Sequence, residues 1–322
     1  MVLPSLLVVF AAVTGVLGTP VIYDGRAQFS LKAADLDSSA DPYLTGVKGS
    51  TQPASHYSTL LGKSAAPTPL WNKRVVPFLP FWTTPNEQPI SVSIDNSSVF
   101  IPGSNPPQFG FRRTELIAQK NGSHTALVAE MEIGVSVFHF SIKLDEKRPL
   151  NYNHEYQIVF IEPNDGSHVF GIQLGSPFTN PTGSLPAKNA HSFKVLDHAL
   201  NVLFTAPFTP GNWHNFAVQV DWDNRTLATL YSKDGSSLKA VTKVIPNLTT
   251  AAGTAGQGDF HFGVLKLPLV NPTDPPAQQG DVVNHGIQEG TTEGLIYSGV
   301  FVESVAKGIS IGGSEVIKGI GH

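Results

Sequence analysis

Two arginines and a glutamate stand inside an otherwise apolar run, Phe109-Gly-Phe-Arg-Arg-Thr-Glu-Leu-Ile117. Read as a strand, period two puts Phe109, Phe111, Arg113, Glu115 and Ile117 on one face and Gly110, Arg112, Thr114 and Leu116 on the other. Arg113 and Glu115 are then same-face neighbours, close enough for the guanidinium to fix the carboxylate's rotamer and lower its pKa. That suits a general base better than an acid. A second carboxylate, Glu162, ends the run Tyr156-Gln-Ile-Val-Phe-Ile-Glu162, where the same period groups it with Tyr156, Ile158 and Phe160. Apolar company should raise its pKa. Two carboxylates pushed in opposite directions are what acid and base roles in glycoside hydrolysis require, provided the two strands are near neighbours in one sheet. Without that, the Arg–Glu pair reads equally well as an ion pair on a solvated sheet face.

Three histidines fall in strand contexts: His139, His214 and His261. Each could donate to a sugar hydroxyl or a leaving oxygen, and each fits a half-buried strand position as well. No two have close ligand spacing, so no metal site is expected. Trp213-His214-Asn215 opens a strand that Trp222 closes; Trp213 offers a flat apolar face to a sugar, although core packing is the commoner use. Trp71 and Trp82, in a Pro-, Ser- and Thr-rich stretch, are more natural sugar platforms, because loops over a sandwich line its concave side.

These side chains need strands to hold them. Gly and Pro, 30 and 25 of the 322 residues, punctuate short runs that alternate with period two. In Val135–Leu144, Phe138, Phe140, Ile142 and Leu144 form an apolar face, with His139, Ser141 and Lys143 on a wet one. Similar runs occur at 90–94, 156–162, 199–204, 213–222, 226–231, 260–267 and 295–303, separated by turns such as Pro163-Asn-Asp-Gly166. Convincing helical periodicity is absent. The pattern predicts an all-β protein, a β-jelly roll or concanavalin-like β-sandwich in a single domain.

Residues 1–18 hold an apolar run with small residues at Val16 and Gly18, which reads as a cleavable signal peptide; the sandwich is expected over 19–305, with 306–322 a short tail. Thr51–Pro89 carries Trp71, Phe78, Phe81 and Trp82, and so reads as an ordered loop draped over the sandwich. With no cysteine there is no disulfide framework and no thiolate chemistry. A net charge of −4, with no long basic run, argues against nucleic acid and anionic membrane as partners. No nucleophile elbow or phosphate loop occurs. Export would expose four sequons, at Asn96, Asn121, Asn224 and Asn247, to glycosylation. The secreted protein is read as a monomer.

Six motifs in order carry a family resemblance: Tyr23-Asp-Gly-Arg26, Arg112-Arg-Thr-Glu-Leu116, Tyr156-Gln-Ile-Val-Phe-Ile-Glu162, Trp213-His-Asn215, Phe260-His-Phe-Gly-Val-Leu-Lys-Leu-Pro268 and Tyr297-Ser-Gly-Val-Phe-Val-Glu303. The chain resembles glycoside hydrolase family 131, secreted fungal β-glucanases. The resemblance implies a jelly roll with an open cleft, no cofactor, and action on β-1,3-, β-1,6- or β-1,4-linked glucan. It implies Glu115 and Glu162 as the catalytic pair and adds His261, with Arg112, Arg113, Tyr156, Trp213 and His214 as sugar contacts. It favours inversion, for which the carboxyl groups should stand roughly 6.5–9.5 Å apart. The chain departs from the family pattern at Tyr156, at Phe260 and in Pro163-Asn-Asp-Gly-Ser-His168, all expected to line the cleft. A polysaccharide lyase on the same jelly roll and a non-catalytic glucan-binding protein are the alternatives.

Overall fold

A computed structural model describes residues 19–72, 86–103, 105–253 and 257–321. Alternation sets its layers. Phe138, Phe140 and Ile142 of strand Val135–Leu144, with Phe216, Val218 and Val220 of strand His214–Asp221, turn inward from one sheet. Phe170, Ile172 and Leu174 of strand Phe170–Gly175, with Phe260, Phe262 and Val264 of strand Asp259–Lys266, turn inward from the other. The rings interlock across the gap: Phe138 meets Phe170 at 5.8 Å and Phe260 at 5.0 Å between centroids. Both sheets therefore share one apolar core, and the molecule is a β-sandwich jelly roll, as the turn-rich alternating sequence predicts.

All strand pairs in the two sheets are antiparallel. Among the described residues, the larger sheet has nine strands and runs from Lys239–Ala240 through Thr226–Lys233, His214–Asp221, Val135–Leu144, Glu293–Ser304 and Ile90–Ile94 to Ser58–Leu60. The smaller has seven, in the order Val202–Pro207, Ser192–Asp197, Phe170–Gly175, Glu155–Glu162, Asp259–Lys266, Arg112–Ala118 and Tyr43–Leu44. Three short helices, Ala33–Asp37, Ala54–Tyr57 and His124–Met131, join the strands.

Two expectations change. The His139 face of Val135–Leu144 is not wet: His139 and Ser141 are buried. A hairpin, Ile309–Gly312 with Glu315–Ile317, covers it, so residues 306–322 are no free tail. Ile309 packs there with Leu70, Val137, Ala217, Leu230 and Leu238. Beneath it, the buried Glu303 carboxylate accepts hydrogen bonds from Thr19 Oγ1 and from Ser310, whose backbone N lies at 2.7 Å and Oγ at 2.8 Å, and it faces His139 Nε2 at 2.9 Å. The expected leader 1–18, and Phe78, Phe81 and Trp82, lie outside the described residues.

Candidate functional site

Strand Asp259–Lys266 lies between Arg112–Ala118 and Glu155–Glu162, so the two carboxylates of interest stand one strand apart. On the first strand, Leu116 and Ala118 enter the core and leave Arg113, Glu115 and Ile117 on the sheet's other face. On the second, the register shifts between Gln157 and Val159. Tyr156 and Ile158 before the shift, and Val159 and Ile161 after it, all face the core. The extra residue reverses the parity and turns Phe160 and Glu162 onto the face that carries Glu115. On the middle strand, Phe260, Phe262 and Val264 are core residues, and His261 projects beside the carboxylates.

Glu115 is fully enclosed, with a side-chain exposure of 0%. Arg113 grips it through both nitrogens, Nε to Oε1 at 2.8 Å and Nη2 to Oε2 at 2.7 Å. His261 Nδ1 lies 2.7 Å from the same Oε2. Burial alone would raise the Glu115 pKa, but the Arg113 charge and the hydrogen bonds from His261 and Arg113 bring it down to about 2. Ionised, Glu115 can only accept, so His261 donates to it from Nδ1 and leaves Nε2 on the far side of the ring. That nitrogen lies 3.8 Å from Glu162 Oε2, and Arg113 Nη2 lies 3.5 Å from the same oxygen. Glu162 is the open member, with a side-chain exposure of 27%. Its carboxylate is thus surrounded by a guanidinium and an imidazole, not by the apolar side chains expected.

Behind this cluster, Phe160 lies nearly parallel to His261 at 4.9 Å and to His168 at 4.2 Å, both at 16°. His168 gave no sequence signal beyond its place in the segment that departs from the family pattern. Burial, with His261 nearby, depresses its pKa to about 4.

One oxygen of each glutamate and a ring nitrogen of His261 all lie within 4.8 Å of one another. Three such donors could in principle hold a metal, but Arg113 already places a cation between the two carboxylates and engages both Glu115 oxygens.

Several expected sugar contacts lie elsewhere. Tyr156 is a core residue whose hydroxyl binds Glu293, because it precedes the register shift. Phe260 is likewise buried in the core, so of the three family departures only the 163–168 segment flanks the cluster. His214 and Trp213 belong to the nine-stranded sheet; His214 packs among Phe193, Phe208 and Tyr231, and Trp213 is 5% exposed. Arg112 points away from Glu115 and donates to the carbonyls of Phe109 and Phe111. Trp71 is no platform: it packs edge-on against His139 and Phe301. Asn247 is no glycan acceptor in this fold, since its buried amide donates to the Val169 carbonyl and accepts from the His198 backbone. Asn96, Asn121 and Asn224 are exposed.

The fold is similar to two solved structures. The catalytic domain of a family 131 β-glucanase from Podospora anserina aligns with a TM-score of 0.63 at 21% identity, covering 91% of this chain and 98% of that one. The catalytic domain of a family 131 glycoside hydrolase from Coprinopsis cinerea aligns with a TM-score of 0.61 at 23% identity, covering 94% of this chain and 100% of that one. No curated protein matches the chain. A family model described as the glycoside hydrolase 131 catalytic N-terminal domain matches residues 21–308, which hold the whole carboxylate cluster and both sheets. The chain therefore belongs to glycoside hydrolase family 131.

Proposed function

We propose that this glycoside hydrolase cleaves β-glucan outside the cell, and that Glu162 is the group that meets the glycosidic bond. The carrying observation is the asymmetry of the cluster. Glu162 is the carboxylate with an open side, while Glu115 is sealed behind Arg113 and His261. In this reading Glu162 gives a proton to the leaving glycosidic oxygen, the C–O bond breaks, and water adds at the anomeric carbon. The proton shed by that water returns through solvent and His261 Nε2 to Glu162, so the site ends as it began. Glu115 and Arg113 are positioning residues, because they act on the bond only by fixing the tautomer and place of His261. β-Glucan is favoured by the family membership and by the name of the Podospora relative.

The test is release of reducing sugar from β-1,3-, β-1,4- and β-1,6-glucans by wild type and Glu162→Gln. Release from at least one polymer by wild type, lost in the variant, is expected. Undiminished release by Glu162→Gln would end the assignment, and no release from any β-glucan would end the substrate. Export and cleavage after Gly18 belong to the same proposal; N-terminal sequencing of protein from a secreting host is expected to begin at Thr19.

A further inference from the structure

Beyond Glu162 and His261, the same face of the seven-stranded sheet carries a polar side chain that the fold itself does not use. Phe170, Ile172 and Leu174 of strand Phe170–Gly175 enter the core, which leaves Gly171 and Gln173 on the face of the carboxylate cluster. Gln173 stands opposite Gln157 on one neighbouring strand and Lys194 on the other. Both neighbours are committed: Gln157 Nε2 donates to Glu155 Oε1 at 2.9 Å, and Lys194 Nζ donates to the Gly175 carbonyl at 2.7 Å. Gln173 is 7% exposed, and its amide has no hydrogen-bond partner among the described residues. Its amide atoms are not sealed from solvent, so water completes them in the free protein and a ligand can take that water's place.

Next to it, His168 stands over Gly171, where an added Cβ would lie 3.6 Å from its Nδ1. Phe160 is opposite His261 on one side and Gly171 on the other, so the stacked rings lead from the carboxylate cluster to His168. Gln173 stands opposite Gln157, five residues along strand Glu155–Glu162 from Glu162, so it lies roughly 15 Å from the carboxylate cluster at ordinary strand rise. That offset suits a unit a few places along a polymer whose cleaved bond lies at Glu162.

We propose that Gln173 and His168, with Gln157 beside them, form a subsite for a neutral glucosyl unit of the polymer, a reading that rests on the hydrolase assignment above. The amide of Gln173 offers two donors and an acceptor, and neutral His168 offers one of each, a set matched to vicinal sugar hydroxyls. His168 stays uncharged above about pH 5, because its pKa is depressed to about 4. Of the nearby cations, Arg113 is paired with Glu115, and Lys194 is 1% exposed with its Nζ turned to the Gly175 carbonyl. A uronate would find no exposed positive charge there among the described residues, whereas a hexose needs none.

The experiment compares wild type, Gln173→Met and His168→Ala on glucose hexasaccharides of the three linkages, reading affinity by calorimetry, KM, kcat and Tm. Gln173→Met keeps the side-chain length and removes the unpartnered amide. It is expected to weaken binding of the best hexasaccharide about tenfold, to raise KM more than it lowers kcat, and to melt at or above the wild-type temperature. His168→Ala, at a half-buried loop position, is expected to weaken binding to a similar degree, and a mannuronate hexasaccharide should bind no variant. Unchanged affinity in Gln173→Met, or a lowered Tm with unchanged KM, would assign the glutamine to the fold and overturn the subsite. Tight binding of the uronate would overturn its neutral character, and binding of no glucose hexasaccharide would overturn it altogether. Gln173-dependent binding by a wild type that releases no sugar would sink the hydrolytic role of Glu162 and leave the subsite standing. Release that is indifferent to Gln173→Met does the reverse.

Discussion

At the residue scale, the two glutamates are chemically alike and physically opposite. Glu162 has an open side, so Glu162→Gln is expected to lower turnover roughly 10²- to 10⁴-fold while stability changes by less than about 0.5 kcal/mol, checked by product release and thermal melting on the same samples. Glu115→Gln is a different experiment, because it takes the nearer of two carboxylates from the buried Arg113 guanidinium and leaves it only Glu162, 3.5 Å away. A loss of about 3–5 kcal/mol of stability is expected along with activity, measurable by denaturant titration. Acid should act through the same residue. The Glu115 pKa falls from an ordinary 4.5 to about 2 on folding, so the unfolded chain binds more protons in that window, and the stabilisation is present above pH 4.5 and lost as pH falls towards 2. Melting temperatures in wild type should drop across that range more steeply than in Glu115→Gln. The pairing of Arg113 with Glu115 was legible from a two-residue spacing. That Glu115 would be sealed was not, because burial of a strand face depends on what later segments lay across it.

At the element scale, the strands were largely legible and their defects were not. Alternation in Val135–Leu144 and the aromatic run 156–162 located strands to within a residue or so. The slip between Gln157 and Val159 leaves no periodic trace in Tyr-Gln-Ile-Val-Phe-Ile-Glu, yet it decides that Tyr156 faces the core and Glu162 the site. On the middle strand the matching irregularity, between Phe262 and Leu265, contains Gly263. A Cβ at Gly263 would lie 2.2 Å from the Thr114 carbonyl oxygen and 2.7 Å from Glu115 Cα. The neighbouring backbone cannot yield without moving Glu115. Gly263→Ala is therefore expected to destabilise by about 1–3 kcal/mol and to weaken the His261–Glu115 hydrogen bond, seen as a shift of the imidazole nitrogen resonances by NMR. Unshifted resonances would mean that the bulge bears no relation to the site.

For the whole molecule, the sandwich presents the carboxylate cluster on one outer face and covers part of the opposite outer face with the C-terminal hairpin. The family model ends at residue 308, just before that hairpin begins. Removing residues 309–322 would uncover Leu70, Val137, Leu230 and Leu238 and take away the buried Ile309. At about 1.5–3 kcal/mol for each fully buried aliphatic side chain, a loss of at least ~3 kcal/mol is expected, read as a lower Tm. Turnover at a temperature where the truncated protein is still folded should stay near wild type, since no member of the carboxylate cluster touches the hairpin. The Glu303 carboxylate under this cover also sets a timetable. It draws hydrogen bonds from Thr19 and from Ser310, which leaves the ribosome 291 residues later. Until residue 310 emerges that carboxylate lacks its Ser310 donors, so the cover over this face can close only after the strands of both sheets have been made.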